Sequence, residues 1–292
     1  MTMKYEYHPV EENSTVYSVT EPGKPEYHFP EGLDDKTLVE DAENGDVEAQ
    51  IELGQAYIMR YLTHPAGTPE DRIRGIEWLE KAALQGDAEA QYRLGDCYLE
   101  TASDEDDEKK GAAWLLKAEA QGSLAASGWL ARFYEFGTGV PKNAAEAVGR
   151  YRRIAELAEN REAFRFHRDE IVLAQYRLAE CCFHGNGTEQ DPEQAVHFYR
   201  LAAENGNIFA QHKLGRCLEK GTGVPRNEAE AVEWYRKAAE HGNTDARCEL
   251  AYCYKNGIGV AKDEAEAAEW FREAARSFAL GAERELEELE QA

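Results

Sequence analysis

Two thiols and an imidazole stand together at Cys181, Cys182 and His184, with Gly185 and Gly187 directly after. Thiolate and imidazole are the ligands zinc prefers, and glycines let a chain wrap an ion, so this stretch could open a metal site. A structural zinc needs four ligands at tetrahedral distance, and the stretch supplies three at most. The other candidates are Cys97, Cys217, Cys248 and Cys253 and the remaining histidines, His8, His28, His64, His167, His197, His212 and His241. Whether any of them converge depends on the elements that carry them.

Those elements repeat. One block reads AQIELGQAY from Ala49, AQYRLGDCY from Ala90, ASGWLARFY from Ala126, AQYRLAECC from Ala174, AQHKLGRCL from Ala210 and ARCELAYCY from Ala246. The last three copies are 36 residues apart, as are Ala90 and Ala126. A second block follows each first one, as in AVHFYRLAAENGN from Ala195 and AVEWYRKAAEHGN from Ala231. Apolar residues recur every three or four positions in both blocks, so each repeat is expected to be a helical hairpin. Glycine loops at Gly137, Gly185, Gly221 and Gly257 link the two blocks in four copies. Glycine there supplies the left-handed residue that ends a helix. Capping pairs follow in register: Asn143/Glu146, Asp191/Gln194, Asn227/Glu230 and Asp263/Glu266. Pro192 stands at a first helical position, where its missing N–H costs nothing.

The pattern LGxxYxxGxGVxxxxxxAxxWYxKAAxxG resembles the Sel-1-like repeat, a relative of the tetratricopeptide repeat, over about residues 38–290. The resemblance implies an all-α fold, an α/α superhelical solenoid of about six helix-turn-helix repeats with half-repeat caps, whose members bind other proteins. Disulfide-rich secreted members carry cysteines near helix ends, a pattern this chain does not match. The expected repeats span about 46–86, 87–122, 123–169, 170–206, 207–242 and 243–277, within a domain of residues 34–292. LVEDAENGD (38–46) reads as a second helix without its first, and 278–292 as a cap helix without a second. Residues 1–33 fall outside the pattern, with Pro9, Pro22, Pro25 and Pro30 excluding a helix. They are expected to form an arm, either extended along the first repeat or disordered.

Aligned repeats put Cys181 in the position of Cys97, Cys217 and Cys253, where other copies have Ala56 and Phe133. A small apolar residue suits that position, and a buried cysteine behaves as one. Stacked helices lie roughly 8–10 Å apart, too far for one ion or a disulfide to join equivalent positions. No metal or cofactor is therefore expected. The chain has no P-loop, GxSxG or HExxH motif, and its histidines sit at different repeat positions, so no enzyme is expected. The tryptophans Trp78, Trp114, Trp234 and Trp270 share one position and read as inter-helix core.

The 33 basic and 57 acidic side chains among 292 residues give a net charge of -24. That field repels nucleic acid and anionic membranes and suits a basic protein partner. No run of apolar residues is long enough to span a membrane. With no apolar leader at the start, a cytoplasmic protein with reduced thiols is expected.

The expected function is a non-catalytic scaffold that holds a protein or peptide in the concave face. A dedicated acidic inhibitor or immunity-type partner of one basic protein is the alternative, and an enzyme of unknown chemistry a further one. By analogy with tetratricopeptide repeats, the first helices line that face. The candidate partner-binding residues are Tyr92, Asp96, Arg132, Phe136, Tyr176, Glu180, His212, Arg216, Lys220 and Tyr252. Asp96, Arg132, Glu180 and Arg216 alternate in sign. They read either as a ladder of ion pairs between repeats, which is favoured, or as part of a clasp for an acidic peptide. The insertion at 159–171 is expected to lengthen two helices, with a binding protrusion as the alternative. DEDDE (104–108) is expected to be a solvated loop.

Overall fold

The computed structural model describes residues 36–65, 67–276 and 282–290. Among these the secondary structure is helical, with no strand. The chain divides into two compact units between Gln85 and Gly86. The arm at residues 1–33 and the start of the C-terminal cap lie outside the described residues.

The first unit contains α1 (Lys36–Glu43), α2 (Val47–Thr63) and α3 (Pro69–Leu84). Helix α1 covers most of the segment read as a half-repeat, and α2 and α3 form the first hairpin. Glycines set how closely the hairpin closes. A Cβ added at Gly75 would crowd the Ile58 side chain and come within 2.9 Å of the Gly54 carbonyl oxygen. Thr68 and Asp71 form a full capping box at the start of α3, with Pro69 at its first position. Asp71 is buried by this arrangement. Burial pushes its pKa up, but the Thr68 hydrogen bonds and nearby Arg60 and Arg74 outweigh that and hold it below the usual range.

The second unit runs through α4 (Ala88–Glu100), α5 (Glu105–Ala120), α6 (Leu124–Phe136), α7 (Ala144–Glu156), α8 (Arg161–Phe166) and α9 (Arg168–His184). It continues with α10 (Pro192–Glu204), α11 (Ile208–Lys220), α12 (Glu228–Glu240), α13 (Thr244–Asn256), α14 (Glu264–Arg276) and α15 (Ala282–Glu290). Helix α8 apart, each helix packs on its hairpin partner and then on the next hairpin. The core is the aligned stripe. Leu94, Leu130, Leu178, Leu214 and Leu250 from the first helices are fully buried. They are matched by Leu115, Tyr151, Tyr199, Tyr235 and Phe271 from the second helices.

Three devices shape the hairpins and their stacking. The glutamine after the first-helix alanine reaches back to the preceding turn. At Gln91 it is the side-chain oxygen that is held, accepting from Gln121 Nε2 at the end of the same hairpin at 2.9 Å, while Gln211 Nε2 donates to the Ala203 carbonyl at 3.1 Å. In the first unit Gln50 Nε2 does the same to the Ala42 carbonyl at 2.9 Å. The Ala42 and Ala203 carbonyls already accept from the Gly45 and Gly206 N–H groups, and the glutamine gives each a further donor. Second, the core tyrosines keep their hydroxyls partnered: Tyr151 donates to Glu135 at 2.8 Å, Tyr235 to Glu219 at 2.7 Å, and Tyr199 to Glu180. Third, the two glycines of each loop have different jobs. Gly221 ends α11 with φ +69, and its N–H reaches the Cys217 carbonyl. Gly223, also at φ +69, lies against the first turn of α10, where a Cβ would collide with the Pro192 carbonyl oxygen.

Several expectations need correction. Residues 104–108 do not form a loop. Asp104 caps α5 through the N–H groups of Asp106 and Asp107, and the acids that follow form its first turn, where the helix dipole favours them. The insertion lengthens only α9, to 17 residues against 13 for α11. Its remainder is a 3-10 turn at Leu157–Glu159 and the separate helix α8, because Asn160 interrupts the chain and caps α8. The four capping pairs are half-formed. Asn143, Asp191, Asn227 and Asp263 each accept from the backbone N–H of the paired residue. Of the returning side chains, Gln194 accepts from the Cys182 thiol, while Glu230 accepts from the Asn227 side-chain amide at 3.1 Å and from Arg200. The tryptophans are only partly core. Trp234 is buried, but Trp78 and Trp114 are half-buried, with Lys81 and Lys117 laid over their rings at 3.6 and 3.4 Å.

Candidate interaction surface

The cysteines that opened the question are core residues. Cys97, Cys181, Cys182, Cys217 and Cys253 are buried, and all six cysteines are free. Burial pushes the Cys181 thiol up to about 12, with the Glu135 charge adding to it, so the sulfur stays protonated and a poor ligand. His184 is exposed at the end of α9, directly before Gly185. Among the described residues, no group of three or more His, Cys, Asp or Glu is placed to hold a metal. No helix among them is long and apolar enough to cross a membrane.

The ten candidate residues all lie on first helices of the second unit, at three register positions. Those two before the buried leucine turn inward. Tyr176 is buried against Tyr199 and Phe209, and His212 is 3% exposed against Tyr235. Tyr92 is half-buried beside Arg93. Tyr176 and His212 are therefore packing residues and not part of an exposed row. The register places them where the next helix covers them, which the sequence pattern alone did not reveal. Burial holds the His212 imidazole at about 4, aided by Arg216 and Lys213 and opposed by Asp245.

Positions two after the leucine lie nearer the surface. Asp96 is half-buried, and burial with the neighbouring Glu100 and Glu89 charges lifts its pKa to about 7 against the pull of Arg93. Arg132 lies over the Trp129 ring at 4.8 Å. Glu180 is engaged by the Tyr199 hydroxyl and by Lys213 at 3.4 Å. The pair that links α9 to α11 is thus Glu180–Lys213, about one helical turn away from the expected register partner Arg216. Arg216 is exposed, and Tyr252 is 38% exposed with its ring edge-on to Phe271 at 5.1 Å. At the helix ends, Phe136 is 48% exposed and Lys220 is exposed. The first helices thus leave aromatic and cationic side chains outside the core at Arg132, Phe136, Arg216, Lys220 and Tyr252. Nothing in this row resembles a nucleophile held by a base. Its chemistry is contact area, guanidinium pairing and ring stacking.

The Sel1 repeat model matches residues 47–87, 88–123, 125–158, 172–207, 208–243 and 244–277. The chain belongs to the Sel1 repeat family. Sel1 repeat proteins generally mediate protein–protein interaction, and the family is generally non-enzymatic. Among solved structures, a protective antigen of uropathogenic Escherichia coli displaying an SLR fold is similar at 30% identity with a TM-score of 0.74. The match covers 87% of this chain and 51% of the antigen, so this chain spans about half the antigen's length. A Sel1 repeat protein from Oxalobacter formigenes is 28% identical with a TM-score of 0.59, over 86% of this chain and 85% of that one. An immunity protein from Pseudomonas aeruginosa is 17% identical with a TM-score of 0.44, over 79% and 82%, a likeness too distant to bear on function. No curated protein matches.

Proposed function

We propose that this Sel1 repeat chain is a non-catalytic scaffold that holds a protein or peptide partner on the face made by the first helices of its second unit. One observation carries the reading. The core is closed by the leucine and tyrosine stripes, yet the same helices leave Phe136, Arg216, Lys220 and Tyr252 exposed and Arg132 half-exposed. Aromatic and arginine side chains are those most enriched in the energetic centres of interfaces. Partner selection then comes from a preformed surface with little ordering to offset. At longer range the charge of -24 favours a basic partner and speeds its approach. We place the protein in the cytoplasm, a reading that six free thiols support.

The test is comparative affinity capture from source cells. The native chain and a variant combining Phe136→Ala, Arg216→Glu and Tyr252→Ala are used in parallel, followed by quantitative mass spectrometry. The reading expects at least one protein held by the native chain to fall by about tenfold or more with the variant, the size of a single lost hot spot. Equal recovery of every partner by both chains would sink the first-helix assignment.

A further inference from the structure

Two arginines among the described residues are buried, Arg150 and Arg177. Arg150 is held by carboxylates. Its guanidinium meets both Glu119 oxygens at 3.0 Å and Glu146 at 2.7 Å. Arg177 is 8% exposed, its Nε is sealed from solvent, and it forms no hydrogen bond or ion pair among the described residues. It lies 5.8 Å from the centre of the Tyr176 ring on its own helix. Glu135 is near enough that both charges act on the Cys181 thiol, yet it accepts from the Tyr151 hydroxyl at 2.8 Å and does not pair with Arg177. A buried charge without a partner is costly, and this chain has 57 acids that could have supplied one.

Register explains the orphan. Along the first helices of the second unit, the residue before the stripe leucine meets the residue two after the leucine on the preceding first helix. Lys213 meets Glu180 at 3.4 Å in this way. Glu249 is attracted by Arg216, and Glu285, one before Leu286, accepts from the Tyr252 hydroxyl. The same rule sets Arg177 of α9 opposite Arg132 of α6, and α9 packs on α6 across the insertion. Of these junctions within the second unit, this one alone pairs two cations.

An opening stands beside them. Gly128 of α6 occupies the register position of Tyr176 and His212, and nothing among the described residues lies within 4 Å of a Cβ added there. At Gly95 and Gly215, by contrast, a Cβ would come within 2.8 and 2.7 Å of the hairpin partner. Glycine inside a helix is unfavourable, and packing does not call for it at Gly128. Tyr176 meets Phe209 of the next first helix at 6.3 Å. Gly128 therefore stands opposite the equivalent Leu173, one turn before Arg177.

We propose that Arg177 and Arg132 bind one carboxylate of a partner protein, an aspartate or glutamate side chain that enters beside Gly128. The proposal rests on the reading that the first-helix face holds a protein, and it names the group bound there. A monoanion between two guanidinium forks relieves their mutual repulsion and gives Arg177 the partner that the chain withholds. Charge selects a carboxylate over a phosphate group. A chain of net charge -24, with Glu135 close by, repels a dianion or polyanion more strongly than a single negative charge.

The experiment is thermal melting of the full chain with a blocked tripeptide, glutamate between two leucines, at constant ionic strength. A ligand that binds only the folded state raises the melting temperature. The native chain is expected to gain about 2–4 °C at saturating peptide, and the glutamine analogue to give no rise. Arg177→Met removes the response. Without peptide it melts no lower than the native chain, because the unpaired charge is gone. Arg132→Met, at a half-buried position, at least halves the response. Lys213→Met, which breaks the Glu180 pair, keeps it. No glutamate-specific rise in the native chain overturns the proposal, as does a rise that survives in Arg177→Met. An Arg177→Met chain that melts well below the native one also overturns it, since a group within the chain would then hold the guanidinium. A larger Arg177-dependent rise with inorganic phosphate than with the tripeptide overturns the carboxylate assignment. The tripeptide needs no cellular partner, so its failure leaves the affinity-capture result standing, and the reverse holds equally.

Discussion

His212 occupies a register position filled by Tyr92 and Tyr176 in two other copies, and burial there has a pH consequence. Its folded pKa is about 4 and the ordinary value is 6.5, with burial as the leading cause. Neither ring nitrogen has a hydrogen-bond partner among the described residues. The folded state therefore holds a neutral imidazole, while the unfolded chain takes up a proton as pH falls below 6.5. Stability from this residue is complete above that pH and is lost as pH falls through the folded value. A shift of this size corresponds to about 3 kcal/mol at most. Replacing it by the tyrosine that the position accepts at Tyr176 removes that dependence. Denaturant melts of the native chain and His212→Tyr at neutral pH and near pH 4.5 are expected to show the native chain losing about 2 kcal/mol more than the variant. Equal losses would mean that the imidazole is protonated in the folded state. The cysteines show the same physics with less consequence: equivalent thiols recur in four of the six repeats, as Cys97, Cys181, Cys217 and Cys253, and all four are buried.

At the scale of elements, the repeat loops make two demands of glycine, which substitution can separate. Gly242 is at φ +95 with nothing within 4 Å of an added Cβ, so Gly242→Ala meets only backbone strain, about 1–2 kcal/mol. Gly223 has positive φ as well, but its Cβ would strike the Pro192 carbonyl at the start of α10. Gly223→Ala is expected to cost at least twice as much as Gly242→Ala, read from urea midpoints at constant slope. Equal costs would show that the loop can move away from α10 freely. The glycine spacing was legible because a left-handed C-cap has few alternatives. The second glycine's contact was not, since a neighbouring repeat creates it. The recurring glutamine after the first-helix alanine was visible in four copies, but its partner carbonyls sit on another helix. Pairings between the capping residues were half legible. The N-cap side chain acts locally, whereas packing turned Gln194 to the Cys182 thiol and made Glu230 share its carboxylate between Asn227 and Arg200.

For the whole molecule, the net charge of -24 predicts self-repulsion that salt relieves. Raising salt from low to about 0.5 M, where the screening length drops below the spacing of surface charges, is expected to raise the melting temperature by several degrees. A melting temperature that falls with salt would mean that ion pairs such as Glu180–Lys213 and Arg150–Glu119 outweigh the net repulsion. The sequence by itself determined the helices, their pairing into hairpins, the caps and the leucine stripe. Each of these follows from interactions within about one repeat, and six aligned copies made the periodicity unmistakable. Only the tertiary structure decided which side of the first helices is covered. It buried Tyr176 and His212, left Phe136, Arg216 and Tyr252 outside, and matched Glu180 with Lys213. It also made a separate helix of residues 161–166, with Phe166 exposed at its end. The reason is that exposure depends on how far one helix slides along the next, and that offset comes from side-chain packing between repeats, which no period along the chain encodes.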